Sequence, residues 1–432
     1  MSYSHHIFKL KKKISGIAVR IPCAKTSTLI IAVKVGSQDE KPTEYGLAHL
    51  LEHMMFRGSK QIPNSTELTK EMDNLGAVFN AFVSKHVTYY HCKFYWNDQN
   101  FKKLVQLLAG LVLSPLFREK DLNLERNVVL SELDQYLNDD EEHLDKMLTE
   151  SILGQHPLAH DITGTKEIIK KMKVSNLKSF YQNHYHANNL FVILTGKYTT
   201  QGLKNLESVF NQLEIPDAPR RVFTPPKPLT LESTQDFKVV TRKDNIQVVL
   251  GLGFPTIGFL DSRKEEMILL NSLIAGSDGS LLHRSLREEK GLVYSVSSNY
   301  LRYPDGGILI IKTSFKLSKL KQVLRIIYDE IENIKKQITL REMKQHLESL
   351  IGYTWVEAEN IFNVAEHYAQ ELIFSDSVRP YHHQLKKFKK IKTSEVIKLA
   401  NLVLDWNKVS LMTIGPLSKK DLMDSLPSQI NR

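Results

Sequence analysis

The same order of predicted strands and helices occurs twice along the chain, on either side of a proline-rich stretch. Residues 1–214 and 235–432 each begin with alternating, β-branched segments and continue into long segments of helical periodicity. Residues 215–234 contain five prolines, which predicts a linker between two domains. Identity between the halves is low, so the predicted duplication rests on element order and equal length. The sequence predicts an α+β protein with two homologous domains, each a mostly antiparallel sheet covered by long helices.

Composition indicates an ordinary globular chain. The 432 residues are 42% hydrophobic and 25% charged, and Gly and Pro are too sparse for collagen-like or low-complexity structure. The longest apolar stretches fall short of the roughly 20 residues of a membrane-spanning helix. The N-terminus is basic but lacks the apolar segment of a secretory signal, so we expect a cytoplasmic protein. Cys23 and Cys92 lie outside any metal-ligand spacing, and we expect both to be reduced thiols in the core.

The net charge of +10 first suggests a nucleic-acid partner, because lysines concentrate at residues 11–13 and 386–390. Runs of this kind usually form solvated surfaces. The chain has neither an aromatic-rich RNA-binding signature nor zinc-finger spacing. We therefore expect no nucleic-acid partner and no membrane partner, and a surface that favours acidic peptides is an alternative explanation of the charge.

One short motif has the spacing of a zinc site. The sequence His49-Leu50-Leu51-Glu52-His53 places two imidazoles four residues apart, on one face of a helix and about one turn from each other. Two neutral imidazoles so placed can bind one zinc ion, and Glu52 projects near the same edge of the helix. This is the H-x-x-E-H arrangement of inverted zincins. In the alternative interpretation, both histidines lie on or near a helix surface and Glu52 is a solvated partner.

A catalytic zinc site needs a third protein ligand, which this motif does not supply. Glu125 and Glu132 lie seven residues apart in a segment of helical periodicity, so both carboxylates project from the same side of a helix. This segment therefore supplies candidates for the third ligand. The alternative is that both carboxylates are solvated, as is usual for charges on an isolated helix.

Together with further segments, this motif resembles the pitrilysin/insulinase family of inverzincin metallopeptidases, and in particular its small branch that is similar to the mitochondrial processing peptidase. The matching segments follow the family order over essentially the whole chain. They are Gly46–Ser59, Gly76–Phe82, Glu125–Glu132, His156–Leu158 with Gly164-Thr165, Tyr181–Tyr185 and Leu286–Val296. The resemblance implies a zinc-dependent endopeptidase that hydrolyses unfolded peptides or small polypeptides inside an enclosed chamber.

The resemblance also implies roles for individual residues of the motif and the helix that follows. It implies that His49, His53 and Glu132 bind one zinc ion per chain, and that Glu52 is the general base. Glu125 matches the family's supporting carboxylate, which orients the site without binding the metal. Residues 1–214 would then be the catalytic zinc-binding domain, and residues 235–432 the homologous substrate-binding domain.

Four more residues match family positions that contact substrate. Asn80 and Ala81 match the edge-strand positions that bind the substrate backbone. Arg287 and Tyr294 match a catalytic pair that contacts the substrate and the developing oxyanion. Without the resemblance each has an ordinary interpretation: Asn80 as a turn or strand-end residue, Arg287 as a surface cation and Tyr294 as a core aromatic residue.

The chain departs from the family pattern at two places. Val83 and His86 replace the usual Thr and acidic residue after the substrate-binding strand, which bears on substrate preference and not on the zinc ligands. The glycine-rich stretch before Arg287 is reduced to residues 276–280, which predicts a shorter or stiffer substrate-binding loop.

Relatives with a closed chamber assemble it from four homologous domains, whereas this chain supplies two. The resemblance therefore implies a partner, and the simplest is a homodimer in which each protomer contributes Arg287 and Tyr294 to the other's zinc site. A heterodimer with a homologue is an alternative. Other relatives are non-catalytic core or processing-complex subunits, which typically lack the zinc ligands or the base. This chain has both.

Overall fold

Two β-sheets organise the computed structural model, which describes residues 3–11, 13–215, 235–375 and 377–430. In chain order the strands of these residues are β1 Ser4–Leu10, β2 Ile14–Arg20, β3 Thr26–Val33, β4 Ala77–Val83, β5 Thr88–Tyr95, β6 Leu190–Gly196, β7 Asp236–Thr241, β8 Val248–Thr256, β9 Val293–Arg302, β10 Gly307–Phe315 and β11 Ser410–Gly415. The helices are α1 Leu47–Met55, α2 Ser65–Asn74, α3 Asp98–Leu113, α4 Glu119–Asn138, α5 Asp140–Leu153, α6 Lys166–Lys171, α7 Val174–His184, α8 Thr200–Gln212, α9 Lys264–Ile274, α10 Leu320–Lys336, α11 Leu340–Glu359, α12 Ile361–Phe374, α13 Tyr381–Phe388, α14 Thr393–Val403 and α15 Lys419–Ser425.

The described residues form two compact units, and neither unit is continuous in sequence. Unit 1 consists of the described residues of Met1–Asp134, His160–Thr224 and Trp355–His383. Unit 2 consists of those of Gln135–Ala159, Pro225–Thr354 and Gln384–Arg432. Each half of the chain therefore contributes one segment, residues 135–159 or 355–383, to the unit that the other half mainly builds. Of the predicted linker 215–234, residues 216–234 lie outside the described residues, so the domain boundaries stay a prediction.

Unit 1 contains a six-stranded sheet in the order β1-β2-β6-β3-β5-β4. Its β2–β6 pair is parallel and its other pairs are antiparallel. Central strand β3 is buried from Ser27 to Val33, and its last five residues are all apolar, because both faces of the sheet are covered. Leu29 and Ile31 pack into a core with residues of α1, α3 and α7, whereas Ile30 packs into a second core with residues of α12.

Unit 2 contains a five-stranded sheet in the order β7-β11-β8-β10-β9, with a parallel β7–β11 pair and antiparallel pairs elsewhere. Helices α9, α10 and α14 share a core with one face, and α5 packs on the other. Two glycines of β8 permit the close approach of α5. A Cβ atom on Gly251 would lie 2.6 Å from the Leu144 side chain, and one on Gly253 would lie 2.5 Å from that of Ile152.

Five strands of the unit 1 sheet correspond one for one to the strands of the unit 2 sheet, and β1 has no counterpart among the described residues. The order β2-β6-β3-β5-β4 in unit 1 matches β7-β11-β8-β10-β9 in unit 2, and the single parallel pair lies at the same place in both. Each sheet has one helix, α12 or α5, on the face opposite its main core. The predicted fold class is confirmed: two α+β domains of matching design, each with a mostly antiparallel sheet covered by helices.

The two cysteines differ in environment. Cys92 is buried in β5, as expected, and its burial raises the pKa of its thiol to about 12. The expectation of a core position for Cys23 is wrong, because this residue is exposed in the turn after β2, where its φ is 65°. Among the helices formed by the described residues, none has the length and hydropathy that a bilayer-spanning segment requires.

Candidate metal centre

Helix α1 of unit 1 carries the three residues of the zinc motif. Its apolar residues are buried in the main core of unit 1, at the three- and four-residue spacings of a helix face; they are Leu47, Leu50, Leu51, Met54 and Met55. This packing leaves His49 and His53 at the margin of the buried surface, each with a side chain 17% exposed. The imidazoles are thus held by a buried helix yet remain reachable from solvent.

His49 and His53 converge with Glu132, which comes from α4. The two Nε2 atoms lie 3.3 Å apart, and Glu132 Oε2 lies 3.5 Å from that of His53 and 3.8 Å from that of His49. Ligands bound tetrahedrally at 2.0–2.1 Å from zinc would lie roughly 3.3 Å from one another. Two imidazoles and one carboxylate are also a donor set that zinc accepts at catalytic sites. The three side chains therefore fit a single zinc ion.

This cluster is distinctive within the molecule. Among the described residues, no other group of three or more His, Cys, Asp or Glu side chains brings its ligand atoms within 4.8 Å of one another. The cluster belongs to unit 1, so the described part of unit 2 offers no matching centre despite its matching sheet.

Glu125 lies two turns before Glu132 on α4 and has a different environment. Its Oε2 accepts a hydrogen bond from Nδ1 of His53 at 2.9 Å, and its Oε1 accepts one from Nε of Arg57. Burial raises the pKa of Glu125, but the hydrogen bonds and charges of His53 and Arg57 outweigh it, so the net pKa is lowered. The ionised carboxylate fixes a proton on Nδ1 of His53 and leaves Nε2 free as a ligand atom.

The sequence did not single out Arg57, although this residue neutralises Glu125. A signal was available: Arg57 stands four residues after His53, one helical turn along the same face. It lies just beyond α1, whose last turn is continued by hydrogen bonds from the amides of Phe56 and Arg57. The Glu125 carboxylate is therefore itself held by a residue at the end of α1, the helix that carries both histidines.

The protonation of the two imidazoles differs in the metal-free chain. Burial, followed by the positive charge of His53, lowers the pKa of His49 to about 4, against a smaller opposing effect of Asp161. Burial also lowers the pKa of His53, but the hydrogen bond to Glu125 and the charges of Glu52 and Glu132 outweigh it, and the net pKa is raised. A metal ion at this site would therefore compete with a proton mainly at His53.

Glu52 is a buried carboxyl group beside these ligands. Burial raises its pKa to about 7; His53 opposes the rise, and the negative charges of Glu132 and Glu125 add to it. Only 7% of the residue is exposed. A carboxyl group with a pKa near the ambient pH is suited to accept and return protons.

Asn80 and Ala81 lie on β4, which is an edge strand of the unit 1 sheet among the described residues. The Asn80 side chain is exposed, and its Oδ1 accepts a hydrogen bond from the Ala81 amide at 2.9 Å. The strand packs beside α1, with the rings of Phe56 and Phe79 5.6 Å apart. The predicted edge-strand position of Asn80 and Ala81 is what the structure shows, whereas their role toward substrate stays a prediction.

At the first departure from the family pattern, Val83 ends β4 and His86 lies in the turn between β4 and β5. The His86 ring is buried, and its edge packs against Phe374 with the ring centroids 5.8 Å apart. The amide of His86 donates to Oγ of Ser84 at 3.3 Å. The histidine is therefore part of a packed hairpin turn of unit 1.

Arg287 and Tyr294 belong to unit 2, and their role toward the cluster of unit 1 stays a prediction. Arg287 is exposed and lies in a short π-helical segment, His283–Glu288, a conformation that is rare and frequent at functional sites. The chain then turns at Gly291, whose φ is 56°, into edge strand β9. Tyr294 on β9 is 48% exposed, so its ordinary interpretation as a core residue is wrong.

Two family models match the chain. The model described as "Insulinase (Peptidase family M16)" matches residues 17–166, which include all the residues of the cluster. The model described as "Peptidase M16 inactive domain" matches residues 171–350. No residue of the cluster lies within residues 171–350, which agrees with their match to a domain described as inactive.

The relatives with similar sequences are named zinc proteases, and the solved structures with a similar fold are described as peptidases or proteases. An uncharacterized zinc protease of Bacillus subtilis is 27% identical over 342 residues, which cover 78% of this chain and 81% of that protein. An uncharacterized zinc protease of Rickettsia bellii is 25% identical, covering 96% of this chain and 98% of that protein. A protease from Helicobacter pylori has the same fold, with a TM-score of 0.88 at 21% identity over 95% of this chain and 99% of that chain. A Pseudomonas fluorescens structure titled as a peptidase M16 inactive domain gives 0.87 at 18% identity over 96% and 98%. The chain belongs to the M16 (pitrilysin/insulinase) family of peptidases.

Proposed function

We propose that this chain is a zinc-dependent endopeptidase that hydrolyses unfolded peptides or small polypeptides, with His49, His53 and Glu132 as zinc ligands and Glu52 as general base. The observation that carries this proposal is the convergence of three ligand atoms from α1 and α4 within 4.8 Å of one another. Membership of the M16 family, in which the relatives described above are named zinc proteases, supports it.

Zinc at this cluster would supply Lewis-acid activation of a water molecule and of the scissile carbonyl group. Glu52 would accept a proton from that water molecule and return it to the leaving amine nitrogen. Both steps need a carboxyl group that is readily protonated and deprotonated near neutral pH. The pKa of about 7 that burial gives Glu52 in the metal-free chain supports this role.

The remaining residues of the cluster would prepare the ligand atoms. His49 is neutral at neutral pH because burial lowers its pKa to about 4, so a lone pair is available on its ring. Nδ1–H of His53 donates a hydrogen bond to Glu125, which leaves Nε2 for the metal. Arg57 would keep Glu125 ionised and in place.

Among the described residues β4 has a paired strand on one side only, and its other edge suggests how a peptide would be bound. An extended substrate can add to an exposed sheet edge through backbone hydrogen bonds, so that its side chains alternate between the two faces. Asn80 is exposed on this edge strand, which packs beside α1. We infer that Asn80 and Ala81 bind the substrate backbone next to the metal.

By resemblance to the family, we propose that Arg287 and Tyr294 contact the substrate and the oxyanion that forms during hydrolysis. In this proposal a homodimer encloses the substrate chamber, and each protomer contributes Arg287 and Tyr294 to the metal site of the other. Their donors would stabilise the tetrahedral oxyanion. A heterodimer with a homologue is the alternative assembly, and native mass spectrometry distinguishes the two.

The test compares cleavage of a quenched, unfolded peptide by the wild type, by Glu52→Gln and by Glu119→Gln, which changes an exposed carboxylate at the start of α4. We expect about one zinc per chain in all three proteins, and chelator-sensitive cleavage only in the wild type and Glu119→Gln. Full activity of Glu52→Gln would contradict the role of Glu52. Stoichiometric zinc without cleavage by the wild type, alone or mixed with a homologue, would favour a non-catalytic subunit of this fold.

A further inference from the structure

The first turn of α1 is held by a carboxylate from outside the helix. The amides at the start of a helix have no acceptors within it, and Gly46, which precedes α1, has no side chain to cap them. Glu40 fills this role: its Oε2 accepts from the Gly46 amide at 2.9 Å and its Oε1 from the Ala48 amide at 2.6 Å. Burial raises the pKa of Glu40, whereas the hydrogen bonds from His160 and from the two amides favour its ionised form, which also interacts favourably with the helix dipole.

Glu40 is itself held on its other side. Nε2 of His160 donates to Oε2 of Glu40 at 3.2 Å. The Glu40 side chain is fully buried, so solvent does not reach the oxygens that accept from His160 and from the two amides. The His160 ring stacks on that of Tyr45 with the centroids 3.8 Å apart and the planes at 7°, and its backbone carbonyl accepts a hydrogen bond from Lys85.

The segment that follows His160 packs against the residues that precede α1. A Cβ atom on Gly46 would lie 2.6 Å from the carbonyl oxygen of Thr163, and one on Gly164 would clash with that of Tyr45. Both glycines have positive φ angles, 91° for Gly46 and 75° for Gly164. The two backbones therefore meet at a distance that only glycine permits.

The two histidines of the cluster are oriented in different ways. Nδ1 of His53 is bound by Glu125, whereas Nδ1 of His49 is buried and has no hydrogen-bond partner among the described residues. Ala48, whose amide Glu40 binds, directly precedes His49. The position of His49 thus depends on its backbone, and the backbone depends on Glu40.

We propose that Glu40, held by His160, is a positioning residue for the metal centre: it fixes the first turn of α1 and thereby the distance from His49 Nε2 to the other two ligand atoms. This inference rests on the proposed zinc centre. It assigns to Glu40 no contact with metal or substrate.

The test measures metal binding and not only activity. Zinc affinity is determined by competition with a chelator, and the visible spectrum of the cobalt(II) form reports ligand geometry, for Glu40→Leu, Glu40→Gln and His160→Phe. We expect Glu40→Leu to weaken zinc binding by about tenfold or more and to change the cobalt spectrum. Glu40→Gln keeps one acceptor oxygen and His160→Phe keeps the ring on Tyr45, so both should lose less.

Glu371→Leu is the matched control. Glu371 is also a buried carboxylate of unit 1, and it accepts hydrogen bonds from the backbone and side chain of Arg379. We expect this variant to lower the melting temperature while leaving zinc affinity and the cobalt spectrum unchanged. An equal loss of affinity in Glu371→Leu would overturn the inference, because it would indicate general destabilisation.

Wild-type affinity and an unchanged spectrum in folded Glu40→Leu would overturn it as well. If Glu40→Leu does not fold, zinc affinity and the cobalt spectrum are measured on Glu40→Gln and His160→Phe instead. Wild-type affinity and an unchanged spectrum in both of these variants would overturn the inference. A wild type that binds neither zinc nor cobalt would overturn the proposed zinc centre first, and this inference with it.

Discussion

Glu125 and His53 are joined by a 2.9 Å hydrogen bond between Oε2 and Nδ1, and Arg57 binds the other oxygen of the same carboxylate. Glu132, two turns further along α4, instead approaches Nε2 of both histidines. Two carboxylates on one helix therefore have different partners. In the proposed zinc centre, Glu125 orients a ligand and Glu132 is itself a ligand.

This difference predicts separate effects of removing each carboxylate. Glu132→Gln should abolish stoichiometric zinc binding, because a ligand charge is lost. Glu125→Gln should weaken binding by about 10- to 100-fold, as is typical when the partner of a metal-binding histidine is removed. Chelator competition measures both values, and Glu119→Gln serves as the control on the same helix. A larger loss of zinc affinity in Glu125→Gln than in Glu132→Gln would mean that Glu125 is the ligand and Glu132 the supporting carboxylate.

Arg57→Gln should weaken zinc binding less than Glu125→Gln does, because Arg57 acts on the metal only through Glu125. In the double variant, the loss should be close to that of Glu125→Gln alone, since the two side chains form one interaction. The measurement is a double-mutant cycle of zinc affinities. Additive losses would mean that Arg57 acts on the centre by another route.

The raised pKa of Glu52 predicts a pH-dependent stability of the metal-free protein. A carboxyl group whose pKa is raised from 4.5 to about 7 on folding stabilises the fold below its unfolded pKa, and this contribution is lost as the pH rises through 7. Metal-free Glu52→Gln should therefore match the wild type near pH 4.5 and exceed it at pH 8 by at most about 3 kcal/mol in free energy of unfolding.

Urea unfolding of both proteins at several pH values checks this prediction. The histidines are present in both proteins, so the difference reports the titration of Glu52 together with its charge interaction with His53. Zinc should reduce the gap at pH 8, because a nearby cation stabilises the carboxylate. A gap that is constant from pH 4.5 to 8 would contradict the raised pKa.

Asn80→Ala should lower kcat/KM for a peptide substrate by roughly tenfold, the value of one or two hydrogen bonds, with unchanged zinc content. Asn80 is exposed on the edge strand, where its Oδ1 accepts from the neighbouring Ala81 amide, so its side chain is accessible to a substrate bound along this strand. Asn74→Ala, in the exposed end of α2 just before β4, is the control. Equal kinetics for wild type and Asn80→Ala would exclude a role of this side chain in substrate binding.

The local parts of the site could be predicted from sequence because they depend on helix geometry. A spacing of four residues brings His49 and His53 together on any helix, and a spacing of seven places Glu125 and Glu132 on one side. Spacing alone left open which of these two carboxylates approaches Nε2 of the histidines. That choice depends on how α4 packs against α1 and on the charge of Arg57, which are tertiary features.

The fold was predicted at the level of its class and its repeat, but not in the contribution of each half to both units. The apolar residues of α5 and of α12 each indicate a helix with one buried face. The spacing of these residues does not tell which of the two sheets the helix packs on. Gly251 and Gly253 determine where α5 packs, but glycines within a strand do not by themselves indicate which helix approaches. The role of Glu40 could not be predicted either. It lies six residues before Gly46, and a carboxylate at that distance from a helix start has no sequence signature of capping.

The central claim is that His49, His53 and Glu132 bind one catalytic zinc ion. Its most direct test is a crystal structure of the purified protein with anomalous data on both sides of the zinc absorption edge. We expect one anomalous peak per chain, about 2.0–2.2 Å from Nε2 of His49, Nε2 of His53 and a carboxylate oxygen of Glu132. A fully loaded crystal without a peak at these atoms, or with Glu125 as the bound carboxylate, would contradict it.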